Sequence, residues 1–478
     1  MGLKDAQNRF WGNISKEGLV FAIQIFLADI WKISKNSVMI AYQNLRDELR
    51  ADSKTRLKIE GFEKIRKHRP DYLILLFMGL IMLIGVITMY SLSPQRAAFL
   101  NKSYGGNYDS MHFFWRQIMS LGLGLIAFVA MSRVPISWIY RHSGKILAIG
   151  FVICAILAVL GFAKIPPAKC ELGACRWFKF GSVSVQPSEF LKVGVLIALA
   201  VFLGSKAREG KINDFRETIL PSGLLVGLML VFIAGFQKDL GTAISALAIV
   251  AFQFFMAGLN RKNVIAASLI GLVAIVGMIL IAPHRMARVM TFAGNENCSN
   301  LSSSEQKDEY HICHAKIAIG SGGLLGVGIG NSVQATGYLP EAINDSVFAI
   351  LGETFGFIGL IIILAIFLAL SMRILKVSAY LKNPASRILA AGVCGWFVFH
   401  TVMNVAAMTG LLPLTGITMP LLSYGGTSIL FISGVLGLIF NISAYTSFRQ
   451  VDDFKEENED SRSRGRLGRT RYASRRSF

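Results

Sequence analysis

Charge is scarce in this sequence. Only 16% of its 478 residues are Asp, Glu, Lys or Arg, against 53% apolar residues, and the mean hydropathy is +0.52. Soluble domains carry about 25% charged residues, so a soluble globular fold is excluded. Cysteine is scarce too, and none of the six lies in a paired CxxC spacing, which argues against a structural zinc site. No GK[ST] follows the glycine-rich stretch near residue 320, which excludes a phosphate-binding P-loop. No small-residue cleavage site follows the first apolar stretch, Gly18–Trp31, so it does not read as a signal peptide. The two halves also lack the paired broken helices that mark many transporters.

Long apolar runs are what the chain has in their place. About 20 residues cross the roughly 30 Å of hydrocarbon in a bilayer. Runs of that order are Tyr72–Leu92, Phe113–Met131, Ile146–Phe162, Gln186–Gly204, Ile219–Phe236, Gly241–Gly258, Val264–Ala282, Ser346–Met372, Ile388–Gly410 and Thr427–Ser447. They predict an all-α polytopic membrane protein of about ten transmembrane helices, with both termini on one side. Basic residues near spans resist translocation, and most of the 49 fall inside if both termini are cytoplasmic, so an N-in, C-in orientation is expected.

Residues 1–70 then form a cytoplasmic extension. In it Gly18–Trp31, too short to span and carrying Gln24 and Asp29, reads as an interfacial amphipathic helix. Residues 71–447 make the membrane domain. Residues 448–478 turn acidic and then Arg-rich without apolar periodicity, which suits a disordered basic tail near anionic lipid rather than nucleic acid. Cys170 and Cys175 share one predicted external loop and Cys298 and Cys313 another, while Cys154 and Cys394 lie in spans. The loop cysteines read as two disulfides on an oxidising face, or as four free thiols.

Four constellations carry chemistry, all on the predicted outer side. In Gln186-Pro187-Ser188-Glu189 with Lys192, the carboxylate and the amine lie three residues apart on one helical face. They neutralise each other either as a structural ion pair or inside a substrate cavity. A tight turn at Gln237–Thr242 holds Asp239. The long connection between helices 7 and 8, Pro283–Asn344, is longer than a connection needs to be, which marks it as functional. It contains His284, Arg285, Arg288 and the glycine-studded run Ala318–Gly330. That run is either a broken element whose backbone lines a cavity or a small-residue packing stripe. It ends in Asn331–Asp345, with Glu341 and Asp345 at the mouth of an apolar stretch reaching Leu370. An ionisable group at such a position is a functional-site hypothesis by default. Asn404–Thr427, with two prolines and four glycines, forms a shaped lid suited to carrying binding groups.

These residues, read in order as QPSEF with Lys192, Q.DLGT, AIGSGG, GNSVQ…YLPEA…D and GLLPLTG…MPLLSYGGTS, resemble the SEDS (shape, elongation, division and sporulation) family. Its members are integral-membrane polymerases of bacterial peptidoglycan. The resemblance covers about residues 72–447, and Gly330–Gln334 is similar to the division type more than the elongation type. It implies transfer between lipid II units on the outer face of the cytoplasmic membrane, at the division septum. The acceptor GlcNAc 4-hydroxyl would attack C1 of MurNAc and expel undecaprenyl pyrophosphate.

A sugar hydroxyl is a poor nucleophile, and Asp345 matches the family's essential aspartate, so it is the expected general base. Arg285, Arg288 and Lys179 are the cations expected to meet the pyrophosphate. Glu189, Lys192 and Asp239 match polar positions of the family's cavity, and Glu341 and Ser423 complete the expected substrate-binding set. No protein metal ligand is expected, although a pyrophosphate leaving group is compatible with magnesium or manganese. The implied partners are lipid II, a class B penicillin-binding protein transpeptidase, other division proteins and anionic lipids. Alternative readings are a lipid II flippase and an elongation-type polymerase. The chain departs from the family's His-Thr-Asp-Phe with Ile343-Asn344-Asp345-Ser346, and Lys238 replaces the usual proline before Asp239. The missing histidine removes one candidate for tuning Asp345. His311 and His314 stand where glutamines are common. Lone external histidines are more often surface residues than ligands, so both stay outside the catalytic set.

Overall fold

The computed structural model describes residues 68–171, 174–181, 183–280, 286, 288–290, 292 and 307–446. The expected interfacial helix, the basic tail, His284, Arg285 and Cys298 lie outside these residues. Among the described residues, ten helices are long and apolar enough to cross a membrane. They are α1 (Tyr72–Tyr104), α2 (His112–Arg133), α4 (Ser143–Ala163), α5 (Pro187–Arg208), α6 (Phe215–Phe236), α7 (Leu240–Ala257), α8 (Arg261–Leu280), α10 (Val347–Ala379), α11 (Pro384–Met408) and α12 (Gly426–Ser443). The shorter helices α3 (Ile136–Arg141) and α9 (Lys307–Ser321) fall between them. All ten expected spans are present, as a multi-pass membrane protein requires. Helices suit the setting because each satisfies its own backbone polar groups where no water can.

Local signals set the helix ends. Asp71 caps α1 by accepting from Leu73 N, and Asn383 caps α11 with Pro384 in its first turn. The helix α1 runs twelve residues past its expected end at Leu92, through Pro94, and stops at Gly105 in the left-handed conformation. At the opposite end of the bundle the first and last spans meet. His68 Nε2 lies 2.8 Å from Thr446 O, Asp71 N donates to Ser443 Oγ at 2.8 Å, and Arg373 pairs with Asp71.

Between helices, small residues allow close approach where lipid supplies no hydrophobic drive for association. A Cβ on Gly437 would sit 2.3 Å from Phe128 O, and one on Gly204 would sit 2.6 Å from Ala385 N, so α12 rests directly on α2 and α11 on α5. The spans α11 and α12 are each 72% buried and α5 is 56% buried, whereas α4 is 22% and α8 is 0% buried. The centre of the molecule is therefore α5, α11 and α12, with α4 and α8 outside.

A small antiparallel sheet interrupts the helices between α4 and α5. Its strands β1 (Ala168–Glu171), β2 (Ala174–Phe180) and β3 (Val183–Val185) pair in the order β1-β2-β3. Cys170 faces Cys175 across β1 and β2, and the two form a disulfide. Cys313 is also disulfide-bonded, and its expected partner Cys298 lies outside the described residues.

The glycine run proves to be a packing device. Val327 N donates to Glu353 O at 2.9 Å, Gly328 N to Thr354 O at 3.1 Å and Phe357 N to Gly323 O at 2.9 Å, so bare backbone docks on a break in α10. The break is Gly356, at φ 67 and ψ −170. A Cβ there would lie 2.4 Å from Gly326 N. The backbone conformation alone costs a side chain about 1–3 kcal/mol, and the clash adds to it. Gly356→Ala is therefore expected to lower the thermal midpoint of the detergent-purified protein by several degrees. An unchanged midpoint in a fluorescence melt would contradict this packing.

Candidate functional site

All four constellations converge at one end of the bundle. Gln186, just before α5, donates to Asp239 Oδ2 at 2.8 Å, joining the first motif to the second. Asp239 caps α7, accepting from Thr242 N at 3.0 Å through Oδ1 and from Thr242 Oγ1 at 2.8 Å through Oδ2. Arg176 of β2 donates to Gln237 O at 3.2 Å and Lys238 O at 2.8 Å, which clamps the disulfide-bonded sheet over the same turn. A Cβ on Gly241 would lie 2.7 Å from Thr415 O, so the fourth motif rests on the second. Asn404 then ties the fourth to the third, donating from Nδ2 to Asp345 O at 2.6 Å and Ile417 O at 2.7 Å. Tyr424 N adds a bond to Ile343 O at 2.8 Å.

Asp345 sits at this junction, partly buried. Its Oδ1 is out of reach of water and has no hydrogen-bond partner, and its Oδ2 faces Gly416. Burial, with the nearby Glu341 carboxylate as the lesser cause, pushes its pKa up from 3.8 to about 7; backbone hydrogen bonds and Arg288 pull the other way. The carboxyl thus exchanges protons near neutral pH.

Glu341 shapes the loop. At φ 48 it takes Asn344 N on its carbonyl at 2.9 Å, its carboxylate bonds the Asn344 amide, and Arg96 of α1 lies 4.0 Å away. Arg288 donates to Leu414 O at 3.3 Å and lies 3.4 Å from Asp308, with its side chain 44% exposed. Lys179 is exposed on β2. Arg285 lies outside the described residues.

Glu189 and Lys192 form an ion pair of 2.8 Å inside α5, with side chains 6% and 0% exposed. Lys192 also lies 3.5 Å from Ser245 Oγ and 4.6 Å from the Trp396 ring centre. Glu189 Oε2 has no partner. Ser423, expected to bind substrate, turns its hydroxyl inward to accept from Met419 N at 2.9 Å and is 2% exposed, so it shapes the lid. Among the described residues no group of three or more His, Cys, Asp or Glu side chains could hold a metal ion.

Several residues that position the site were not foreseen. Glu353, 1% exposed in α10, accepts from Ser332 Oγ, Val333 N and Gln334 N, and so holds the Asn331–Gln334 loop. A carboxylate inside an apolar run was the available signal. His311 is 8% exposed and lies 2.5 Å from Ser346 Oγ, which corrects its expected place on the surface. His314 contacts Gln334 Oε1 at 2.7 Å and stacks on Tyr338.

The FtsW/RodA/SpoVE family of cell cycle proteins matches residues 71–448. The chain belongs to this family. Stage V sporulation protein E of Bacillus subtilis is 33% identical over 385 residues, covering 80% of this chain and 99% of its own length. The probable peptidoglycan glycosyltransferase FtsW of Escherichia coli O6:H1 is 31% identical over 349 residues, covering 72% and 80%. The fold is that of the rod shape determining protein RodA of Thermus thermophilus, with TM-score 0.56, 21% identity and coverage of 78% of this chain and 96% of RodA. A structure described as the coordination of polymerization and crosslinking by a peptidoglycan synthase complex gives TM-score 0.59 at 21% identity, with 78% and 97% covered. The family match spans all four constellations and excludes the first 70 residues, as the motifs had indicated.

The raised pKa of Asp345 has a consequence for stability. Its folded value, about 7, exceeds the ordinary 3.8, so the fold bears no penalty while the group is protonated and weakens as pH rises from about 4 through about 7. Asp345→Asn is expected to raise the thermal midpoint at pH 8, where the wild type carries the buried charge, and to leave it unchanged at pH 4. The same difference at both pH values would contradict the raised pKa.

Proposed function

We propose that this chain is a peptidoglycan glycosyltransferase that polymerises lipid II into glycan strands, with Asp345 as the proton acceptor. The carrying observation is the partly buried Asp345 carboxyl with an unpartnered oxygen, at the junction of four motif segments. A general base works best with a pKa near the operating pH, and this environment supplies that. The family membership and the printed activity of its FtsW relatives support the same reaction.

Stepwise, the acceptor 4-hydroxyl gives its proton to Asp345 as its oxygen bonds to C1 of the donor sugar. The bond from C1 to the pyrophosphate oxygen breaks, and undecaprenyl pyrophosphate leaves. Arg288 and Lys179, with Arg285, are the cations proposed to meet the charge that develops on the leaving group. Magnesium or manganese, where the reaction uses one, would supply positive charge against the developing pyrophosphate.

The positive-charge bias along the chain supports placing this site on the external face of the cytoplasmic membrane. The similarity to FtsW proteins supports a role at the division septum. A fold shared with a structure described as a synthase complex supports a crosslinking partner, proposed to be a class B penicillin-binding protein. Clustering of the motifs at one end disfavours a flippase, which needs groups reachable from both faces.

Asp345→Asn, reconstituted in liposomes with lipid II, is expected to lose roughly 10²–10⁴-fold in glycan synthesis, the range for a general base. Folding and partner binding should survive. Undiminished synthesis would end the assignment, and lipid movement without polymerisation by the wild type would favour the flippase.

A further inference from the structure

We propose that His311 is a positioning residue for Asp345, acting through Ser346. This rests on the reading of Asp345 as the proton acceptor. Ser346 directly follows Asp345 and precedes the first residue of α10. Its hydroxyl donates to Pro340 O at 2.8 Å, which closes the Pro340–Ser346 turn from inside. That bond uses the single hydroxyl proton, so the contact of 2.5 Å with His311 Nε2 requires the imidazole to donate. His311 therefore carries its proton on Nε2 and acts as a strut between α9 and the turn that bears Asp345.

The strut has no slack on the α9 side. His311 is 8% exposed, on a helix whose following Ile312 and Ala315 are 2% and 0% exposed. Three residues on, along the same helical face, His314 bonds Gln334 at 2.7 Å. One face of α9 thus grips the beginning and the end of the Asn331–Ser346 segment. The charged and titratable groups facing His311 are Glu341, Asp308, Arg288 and His314, and burial outweighs them, lowering its pKa to about 4. The imidazole is neutral across the range in which Asp345 titrates. What it supplies is a directed hydrogen bond, and a neutral amide of the same reach can replace it. Glutamine places an N–H where Nε2 lies; asparagine is too short.

The test measures lipid II polymerisation at saturating and limiting substrate, from pH 5.5 to 8.5, for His311→Ala, His311→Asn, His311→Gln, Ser346→Ala and the double variant His311→Ala/Ser346→Ala, with thermal midpoints alongside. His311→Ala and Ser346→Ala are each expected to lower the saturated rate about 10-fold or more with KM within about 2-fold, because they misplace the base. The double variant should be no slower than the slower single variant, since both cut one strut. His311→Gln should recover to within about 3-fold of wild type, and His311→Asn should behave as His311→Ala, which covers the case in which alanine impairs folding. Loosening the turn admits water to Asp345, so the acid limb of the profile should move to lower pH in His311→Ala and stay in place in His311→Gln. Additive losses, a loss confined to KM, no recovery with glutamine or an unmoved acid limb would overturn the proposal. Activity retained in Asp345→Asn would instead remove the base reading, and with it the positioning role.

Discussion

One amide holds the site together. Asn404 Nδ2 has two hydrogens, and both are used: one on Asp345 O, one on Ile417 O. These carbonyls belong to loops about 70 residues apart in sequence, and neither carbonyl lies in a helix or strand. Asn404 can do this because α11, from which it projects, is among the most buried spans of the molecule. A hydrogen bond in such surroundings is costly to leave unmade, with a penalty of about 1–3 kcal/mol per orphaned group. The lid is thus fixed to the segment that bears the carboxylate, and a rigid helix sets the position of both.

The remaining architecture follows from that junction. Burial raises the Asp345 pKa to about 7, and one of its carboxyl oxygens has no hydrogen-bond partner. Glu353 holds one end of the Asn331–Ser346 segment and His311 the other. The break at Gly356 lets α10 leave room for the glycine run that precedes the segment. The buried Glu189–Lys192 pair lies farther into the bundle and reaches the junction through Gln186, Asp239 and Gly241. A buried ion pair of this kind contributes little net stability, but removing one partner alone is costly, about 3–5 kcal/mol.

Much of the fold was legible because hydropathy reports membrane spans directly. All ten runs became helices, although α1 continued through Pro94, where the polar Gln95 and Arg96 hid the helix from an apolar-run reading. The β-hairpin near Trp177 was not anticipated, since its strands are short and mixed in character. At the site, Asp345, Asp239, Glu189 and Lys192 were visible as ionisable groups where charge is costly. For Ser423, sequence could not show that its hydroxyl accepts from Met419 N and closes its own turn. His311 was dismissed as a surface histidine, because its burial depends on contacts between α9 and a turn 35 residues away. For the glycine run two readings stood level, and only the distances to Thr354 and Gly356 separated them.

The central claim is that Asp345 takes the proton of the attacking hydroxyl from a pKa set by its burial. Its most direct test is the pH dependence of wild-type lipid II polymerisation at saturating substrate, measured from pH 5.5 to 8.5. The rate should rise with the ionisation of a single group at about 7 and then level off. A rate flat across that range would contradict it.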